Sequence, residues 1–267
     1  MISDLHTHST FSDGALRPVD LVAALSRAGI ECISLTDHDT VAGLAQTRKA
    51  CETAGIRFVP GVEISAQING EEVHLLGYGF NPQSESLLKF LNIQGERRLT
   101  RITEFQRRLV EAGVPISAVD FDGESRSTVG RPHLANAIIA AGAARSIREA
   151  FDTYLMPGTA TFVPRILPSA SESIEKIHAS AGIVSLAHPG DYISNQTVLG
   201  LIGIGLDAIE VKHPAHDQRL SDYYTDLAVR HNLFCTGGSD YHGWRSGEEE
   251  NIGRFSMDWE LPPNILM

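Results

Sequence analysis

The chain has 267 residues, 42% hydrophobic and 21% charged, enough apolar material for one or two domains with a substantial core. A formal net charge of -11 without any Lys/Arg run argues against a long polyanion as the obvious partner, yet leaves room for a local positive site. No apolar run is long enough for a bilayer span, and MISDLHTH has neither the basic nor the apolar region of a secretory leader; no membrane association and a cytoplasmic location are expected.

In chain order, ISDLHTH (2–8) reads as a strand and PVDLVAALSRAG (18–29) as an amphipathic helix, with Pro near its start and Gly at its end. CISLTDH (32–38) is a strand, 39–55 a helix closed by Gly, and RFVPGVEISA (57–66) a strand. Asn69-Gly70 and EEVHLLGYGF then predict a hairpin. From 81 to 165 the strand signal fades: SESLLKFLNIQGERRLTRITEFQRRLVEAG reads as one or two helices, RPHLANAIIAAG and SIREAFDTYL as two more. GIVSLAHPG (182–190), LDAIEVKHP (206–214) and LFCTGGSDYH (233–242) return as strands, with helices at 171–181 and 217–231. Strand–helix units on both sides of a helical insertion predict one α/β barrel (1–80 and 166–267) carrying the insertion 81–165 that helps form the substrate pocket; an open doubly wound sheet is the alternative. Cys32, Cys51 and Cys235 form no CxxC pair and fit a reduced compartment as small core residues.

The strands share one habit. Each runs apolar and then ends in His, Asp or Glu: His6/His8, Asp37/His38, Glu63, His188, Glu210/His213 and Asp240/His242. In an α/β barrel these ends converge on the rim where active sites sit. Residues i and i+2 of a strand face the same side, so His6 and His8 project together, with Asp4 in line below. A lone buried histidine is more often a satisfied core group, but so many such endings call for a metal, which imidazole and carboxylate ligands suit. Asp4, Asp37 and Asp39 read as orienting or capping groups, His178 and His231 as structural or solvated, and His216 as a loop residue.

The stretches DLHTHSTFSDG (4–14), TDHDT (36–40), GVEIS (61–65), HLLGY (74–78), AHP (187–189) and GSDYH (238–242) span nearly the whole chain. Together they resemble the PHP (polymerase and histidinol phosphatase) family of amidohydrolase-like metal enzymes. The resemblance implies a distorted (β/α)7 barrel with up to three divalent metals. Carried over by position, it implies one site of His6, His8, Glu63 and Asp240, a second of His74 and His188 bridged by Glu63, and a third of Asp13, His38 and His242. Some members have His where this chain has Asp13; either side chain can bind a metal. Nitrogen and oxygen ligands without Cys suit Mn, Fe or Zn, with Mn expected. Three such ions outweigh the charges of Asp13, Glu63 and Asp240, leaving a positive centre suited to a small anion such as a phosphate ester.

Clustered metals favour phosphoester hydrolysis by in-line attack of a bridging hydroxide, with Asp240 at the reacting centre and His213 as candidate proton donor to the leaving group. Arg131 and His133 in STVGRPHLA, Arg165 in TFVPRILPS, and Lys212 and His213 in EVKHPAHD are candidate holders of a second phosphate. Within the family the layout is similar to phosphatases of nucleoside 3',5'-bisphosphates, which release the 3'-phosphate of adenosine 3',5'-bisphosphate as AMP forms. Its partner would then be a small nucleotide, with no obligate protein partner. Alternatives are a 5'→3' exoribonuclease on short RNA, a histidinol-phosphatase-like phosphomonoesterase, and, least supported, a non-catalytic module.

Overall fold

The structure, a computed structural model, describes residues 1–116, 130–244 and 247–258; the start of the STVGRPHLA stretch, 127–129, lies outside them. One compact unit comprises Met1–Leu91 and Leu167–Met267, and a second comprises Asn92–Ile166.

The first unit holds a sheet ordered β7-β6-β5-β4-β3-β2-β1-β8. Strands β1 (Ile2–Asp4), β2 (Cys32–Leu35) and β3 (Arg57–Ile68) run parallel, β4 (Glu71–Tyr78) is antiparallel to both neighbours, and β5 (Ile183–Leu186), β6 (Ala208–Lys212) and β7 (Phe234–Gly237) run parallel again. The expected hairpin is present: Ile68 pairs with Glu71 across Asn69 and Gly70, both at positive φ, as a two-residue turn that matches strand twist requires. Beyond β7 the chain closes onto the segment leaving β1. Leu5 N donates to Gly237 O (3.2 Å), Asp240 N to His6 O (2.9 Å) and His8 N to Tyr241 O (3.0 Å). The short β8 (Met257–Asp258) pairs antiparallel with β1. This closure makes the fold a distorted (β/α)7 barrel with a helical insertion and rules out the open sheet.

Period-two alternation divides the core. Ile33 and Leu35 of β2 join Leu21, Val22 and Leu25 of α1 (Pro18–Arg27) in the large cluster between strands and helices. Cys32, on the other face, packs with Leu5, Val59, Leu76, Tyr78 and Ala187 in a smaller cluster inside the barrel. Helices α2 (Leu44–Ala54), α6 (Ala170–His178), α7 (Asn195–Gly203) and α8 (Gln218–His231) complete the unit.

The second unit has its own core of Ile102, Phe105, Leu109, Leu134, Ile138 and Leu155. The stretch that could be one or two helices is one, α3 (Glu85–Glu111); Leu87, Phe90 and Leu91 of its first turns belong to the core of the first unit. It is followed by α4 (Arg131–Ala140) and by α5 (Ile147–Ala150), which runs into a π-helical turn at Phe151–Leu155.

Three expectations need correction. The strands are shorter than their apolar runs, so most of the polar endings sit in the loops just past them. Helix α2 begins at Leu44 rather than 39, because Asp39 has φ 54, which no helix accommodates. Helix α7 is absent from the sequence reading: Gly200, Gly203 and the lack of a charged face hide its period, while Ser194 caps it by accepting from Thr197 N (3.2 Å). Among the described residues no helix is long and apolar enough to cross a membrane.

Candidate metal centre

The rim of the barrel gathers side chains from almost every strand exit. Glu63 lies at its middle, because β3 continues past the rim into the hairpin with β4. Its Oε2 is 3.4 Å from His6 Nε2, 3.3 Å from His8 Nε2 and 3.1 Å from His38 Nδ1. Its Oε1 is 2.8 Å from His74 Nδ1 and 3.1 Å from His188 Nε2. Asp240 Oδ1 lies 3.3 Å from His6 Nε2 and 3.2 Å from His8 Nε2, and its Oδ2 3.3 Å from His213 Nε2. Asp13 lies on the far side, 3.3 Å from His242 Nε2, 3.7 Å from His38 Nε2 and 3.9 Å from His8 Nδ1.

The hydrogen bonds behind the imidazoles set what they present inward. His6 Nδ1 donates to Glu210 Oε1 (3.1 Å) and His242 Nδ1 to the carbonyl of Asp240 (2.9 Å). Tyr192 Oη donates to His188 O (2.5 Å), so its oxygen accepts from His188 Nδ1 (3.0 Å). With Nδ1–H spent on these acceptors, the neutral form of each ring turns an Nε2 lone pair toward a carboxylate, which is how an imidazole is presented to a metal ion. The buried atoms His6 Nε2, His8 Nε2, His38 Nδ1, Glu63 Oε2 and Asp13 Oδ1 have no hydrogen-bond partner. Ligand atoms close enough to share an ion occur in the groups His8–Asp13–His38–His242, His6–His8–Glu63, His38–Glu63–His74 and His6–His213–Asp240. The residues fit a cluster of divalent ions.

The electrostatics agree. Burial opposes charge on Asp13, Glu63 and Asp240, but the surrounding imidazoles, His242 and His8 beside Asp13 and His6 beside Glu63 and Asp240, hold all three carboxyls well below their usual range. Burial likewise opposes charge on His8, yet the adjacent carboxylates of Asp240 and Glu63 raise it to about 10. Burial wins at His38, pushing it down to about 3. The centre holds carboxylates ionised and demands positive charge between them.

Backbone geometry presents these groups at a cost. His188 (φ 27) and Asp240 (φ 50) take left-handed conformations worth on the order of 1–3 kcal/mol of strain each. Gly238 lets the β7 exit approach β1: a Cβ there would lie 2.5 Å from His6 N and Cβ. Asp37 pins the loop carrying His8 and Asp13, accepting from Ser9 N (2.7 Å), Ser9 Oγ (2.7 Å) and Ser12 Oγ (2.5 Å). Asp4 accepts from Ser239 N (2.9 Å), and Asp39 from Ser65 N (3.2 Å), as orienting groups.

The structure thus brings together His6, His8, Asp13, His38, Glu63, His74, His188, Asp240 and His242, with His213 beside them. Lys212 points its ammonium toward Ser256 O (3.4 Å). Arg131, His133 and Arg165 belong to the second unit. There Arg131 lies over the Phe151 ring (5.6 Å to its centre) with Nη1 3.5 Å from Leu155 O, and His133 Nδ1 accepts from Gly130 N (3.1 Å). Two groups gain roles that the sequence reading did not assign. Glu210, a strand ending as read, is a buried orienting carboxylate on His6 that also accepts from His188 N (2.7 Å). His216 lies in a loop as read, and is buried there: Nδ1 donates to Val211 O (3.2 Å) and Nε2 accepts from Gly190 N (3.0 Å), bracing the His188 loop.

A ring of imidazoles and carboxylates at the rim of a barrel closed in this way defines a metal-dependent hydrolase of the amidohydrolase-like kind. The PHP domain family matches residues 4–154. A 3',5'-nucleoside bisphosphate phosphatase of Chromobacterium violaceum is 32% identical, over 97% of this chain and 92% of its own. The 5'-3' exoribonuclease Rnm of Escherichia coli is 32% identical over 99% and 96%. A phosphoribosyl 1,2-cyclic phosphate 1,2-diphosphodiesterase of Eggerthella lenta is also 32% identical, over 95% and 98%. Among solved structures, an amidohydrolase from Chromobacterium violaceum with bound sulfate and no metal superposes with a TM-score of 0.83 at 32% identity, over 98% and 92%. The chain belongs to the PHP family and is a metal-dependent phosphoric ester hydrolase.

Proposed function

We propose that this chain hydrolyses the 3'-phosphate of nucleoside 3',5'-bisphosphates, converting adenosine 3',5'-bisphosphate to AMP and phosphate. The observation that carries this reading is a metal centre suited to a phosphate in a chain 32% identical, over 97% of its length, to the Chromobacterium bisphosphate phosphatase. The sequence adds Arg131, His133 and Arg165 of the insertion as candidate holders of a second phosphate. The free, buried Cys32 and Cys51 fit a cytoplasmic enzyme.

In this reading His6, His8, Asp13, His38, Glu63, His74, His188, Asp240 and His242 hold divalent ions, three in number and Mn in kind. When bound, such ions supply an activated water at neutral pH and charge to stabilise the phosphoryl oxygens. The protein supplies the rest. Glu63 and Asp240 would balance the charge of the ions, and His213 delivers a proton to the departing 3'-oxygen. Its ring is set up as a donor, since Nδ1 accepts from Ala215 N (3.0 Å) and the neutral ring therefore carries its proton on Nε2.

Equal identity to the Escherichia coli exoribonuclease favours a second reading, in which the same centre trims short RNA from its 5' end. Phosphate or nucleotide release with Mn²⁺ separates the readings. Adenosine 3',5'-bisphosphate, 5'-AMP, 3'-AMP, a ribosyl cyclic phosphate, histidinol phosphate and a short 5'-phosphorylated RNA would be compared. A large preference for the bisphosphate is expected; preference for the RNA would make the centre a nuclease.

A further inference from the structure

Two aromatic rings stand at the edge of the metal centre with their polar tips tied down and their faces in solvent. Trp244 is 57% exposed, and its indole N–H donates to the carbonyl of Asp13. Tyr192 is 62% exposed, with its hydroxyl engaged by His188. Scattered surface aromatics are ordinary. Trp244 differs in what holds it. Ala15 N donates to His242 O (2.6 Å), joining the loop of Asp13 to the loop of Trp244. Gly243, between His242 and Trp244, turns the chain at φ 79, where a Cβ would come within 2.9 Å of the Tyr241 hydroxyl. The indole is therefore held at its nitrogen by Asp13 and follows directly on His242, whose carbonyl is tied to Ala15; Asp13 and His242 both belong to the group His8–Asp13–His38–His242. Its one polar atom is satisfied, so it offers solvent only π-surface, at little further entropic cost on binding.

We propose that Trp244 is the stacking platform for the base of a nucleotide whose phosphate lies in the metal centre. This rests on the reading of the substrate as a nucleotide. Stacking on indole requires only a π-face, so the four bases should be handled with similar efficiency. Tyr192 is the poorer candidate, because its hydroxyl fixes the protonation of His188 and its ring belongs to the support of a ligand.

The test compares adenosine 3',5'-bisphosphate with base-free ribose 3,5-bisphosphate in the metal-loaded enzyme and in Trp244→Ala, Trp244→Phe and Tyr192→Ala. Calorimetric binding of 5'-AMP and ribose 5-phosphate provides a readout independent of turnover. Trp244→Ala should raise KM and Kd for the nucleotides by about five- to a hundredfold, leave the base-free compounds within twofold, and be largely rescued by Trp244→Phe. If the enzyme prefers the nucleotide and Trp244→Ala leaves that preference intact, or weakens both compounds equally, the platform is elsewhere and the proposal falls while the nucleotide reading stands. Selective loss in Tyr192→Ala but not in Trp244→Ala would place the base at the His188 end, with the same consequence. If the unaltered enzyme treats nucleotide and base-free sugar alike, the nucleotide reading fails and the proposal with it.

Discussion

One hydrogen bond separates His213 from the histidines around it. His6, His188 and His242 spend Nδ1–H on an acceptor behind them and keep a lone pair for the centre. His213 instead accepts at Nδ1 from Ala215 N (3.0 Å) and keeps its proton on Nε2, 3.3 Å from Asp240. To ligate a cation through Nε2 it would have to set its own N–H against that of Ala215. His213→Asn should therefore retain full metal content. It should lose about 10²–10⁴-fold in kcat on alkyl phosphates and far less on an aryl phosphate whose leaving group needs no proton. Elemental analysis beside the two rates checks this; a lost metal equivalent would make His213 a ligand. Asp13 is the reverse case. It is the one carboxylate in the ligand group His8–Asp13–His38–His242, so Asp13→Ala should cost one metal equivalent together with most activity, as read by elemental analysis of protein dialysed at low metal.

At the scale of the element, the centre depends on how closely the β7 exit lies on β1. Gly238→Ala would thrust a methyl group into His6, so overpacking of roughly 1–3 kcal/mol is expected along with weaker metal retention. Gly203→Ala, in open helical space, should leave both unchanged or slightly improve stability. Denaturant unfolding and metal content of the two variants test the contrast. The same closure explains what can be read from the sequence. The ligands are legible because strand exits must converge in a barrel and because imidazole and carboxylate recur at those exits. Glu210 is not, because a carboxylate behind an imidazole and one in front of it look alike along the chain. His216 and Trp244 give no signal at all: their meaning comes from partners at Gly190 and Asp13, across loops whose path no period predicts. Helix α7 is hidden for the opposite reason, since a helix with few polar residues lacks the face that reveals one.

For the whole molecule, division into two compact units makes metal removal a local event with a defined boundary. The core of Ile102, Phe105, Leu109, Leu134 and Ile138 contains no residue of the metal centre, whereas the centre draws on the segments following β1, β2, β5 and β7 and on β3 and β4. Ions that bind only the folded centre add about 2.7 kcal/mol per site at a hundredfold excess over Kd. In a chain of this size that corresponds to roughly 5–10 °C in the unfolding temperature of the unit concerned. Chelation should lower that transition reversibly, and Mn²⁺ should restore it. Hydrogen exchange on the full chain gives the sharper reading. Amides at 5–14, 36–39, 187–190 and 238–242 should lose protection when the ions are removed, because repulsion among Asp13, Glu63 and Asp240 is then relieved by proton uptake or by opening of the loops. Amides at 102–111 and 131–140 should not change. Equal loss of protection in both regions would mean that the two units unfold as one and that the ions stabilise the entire chain.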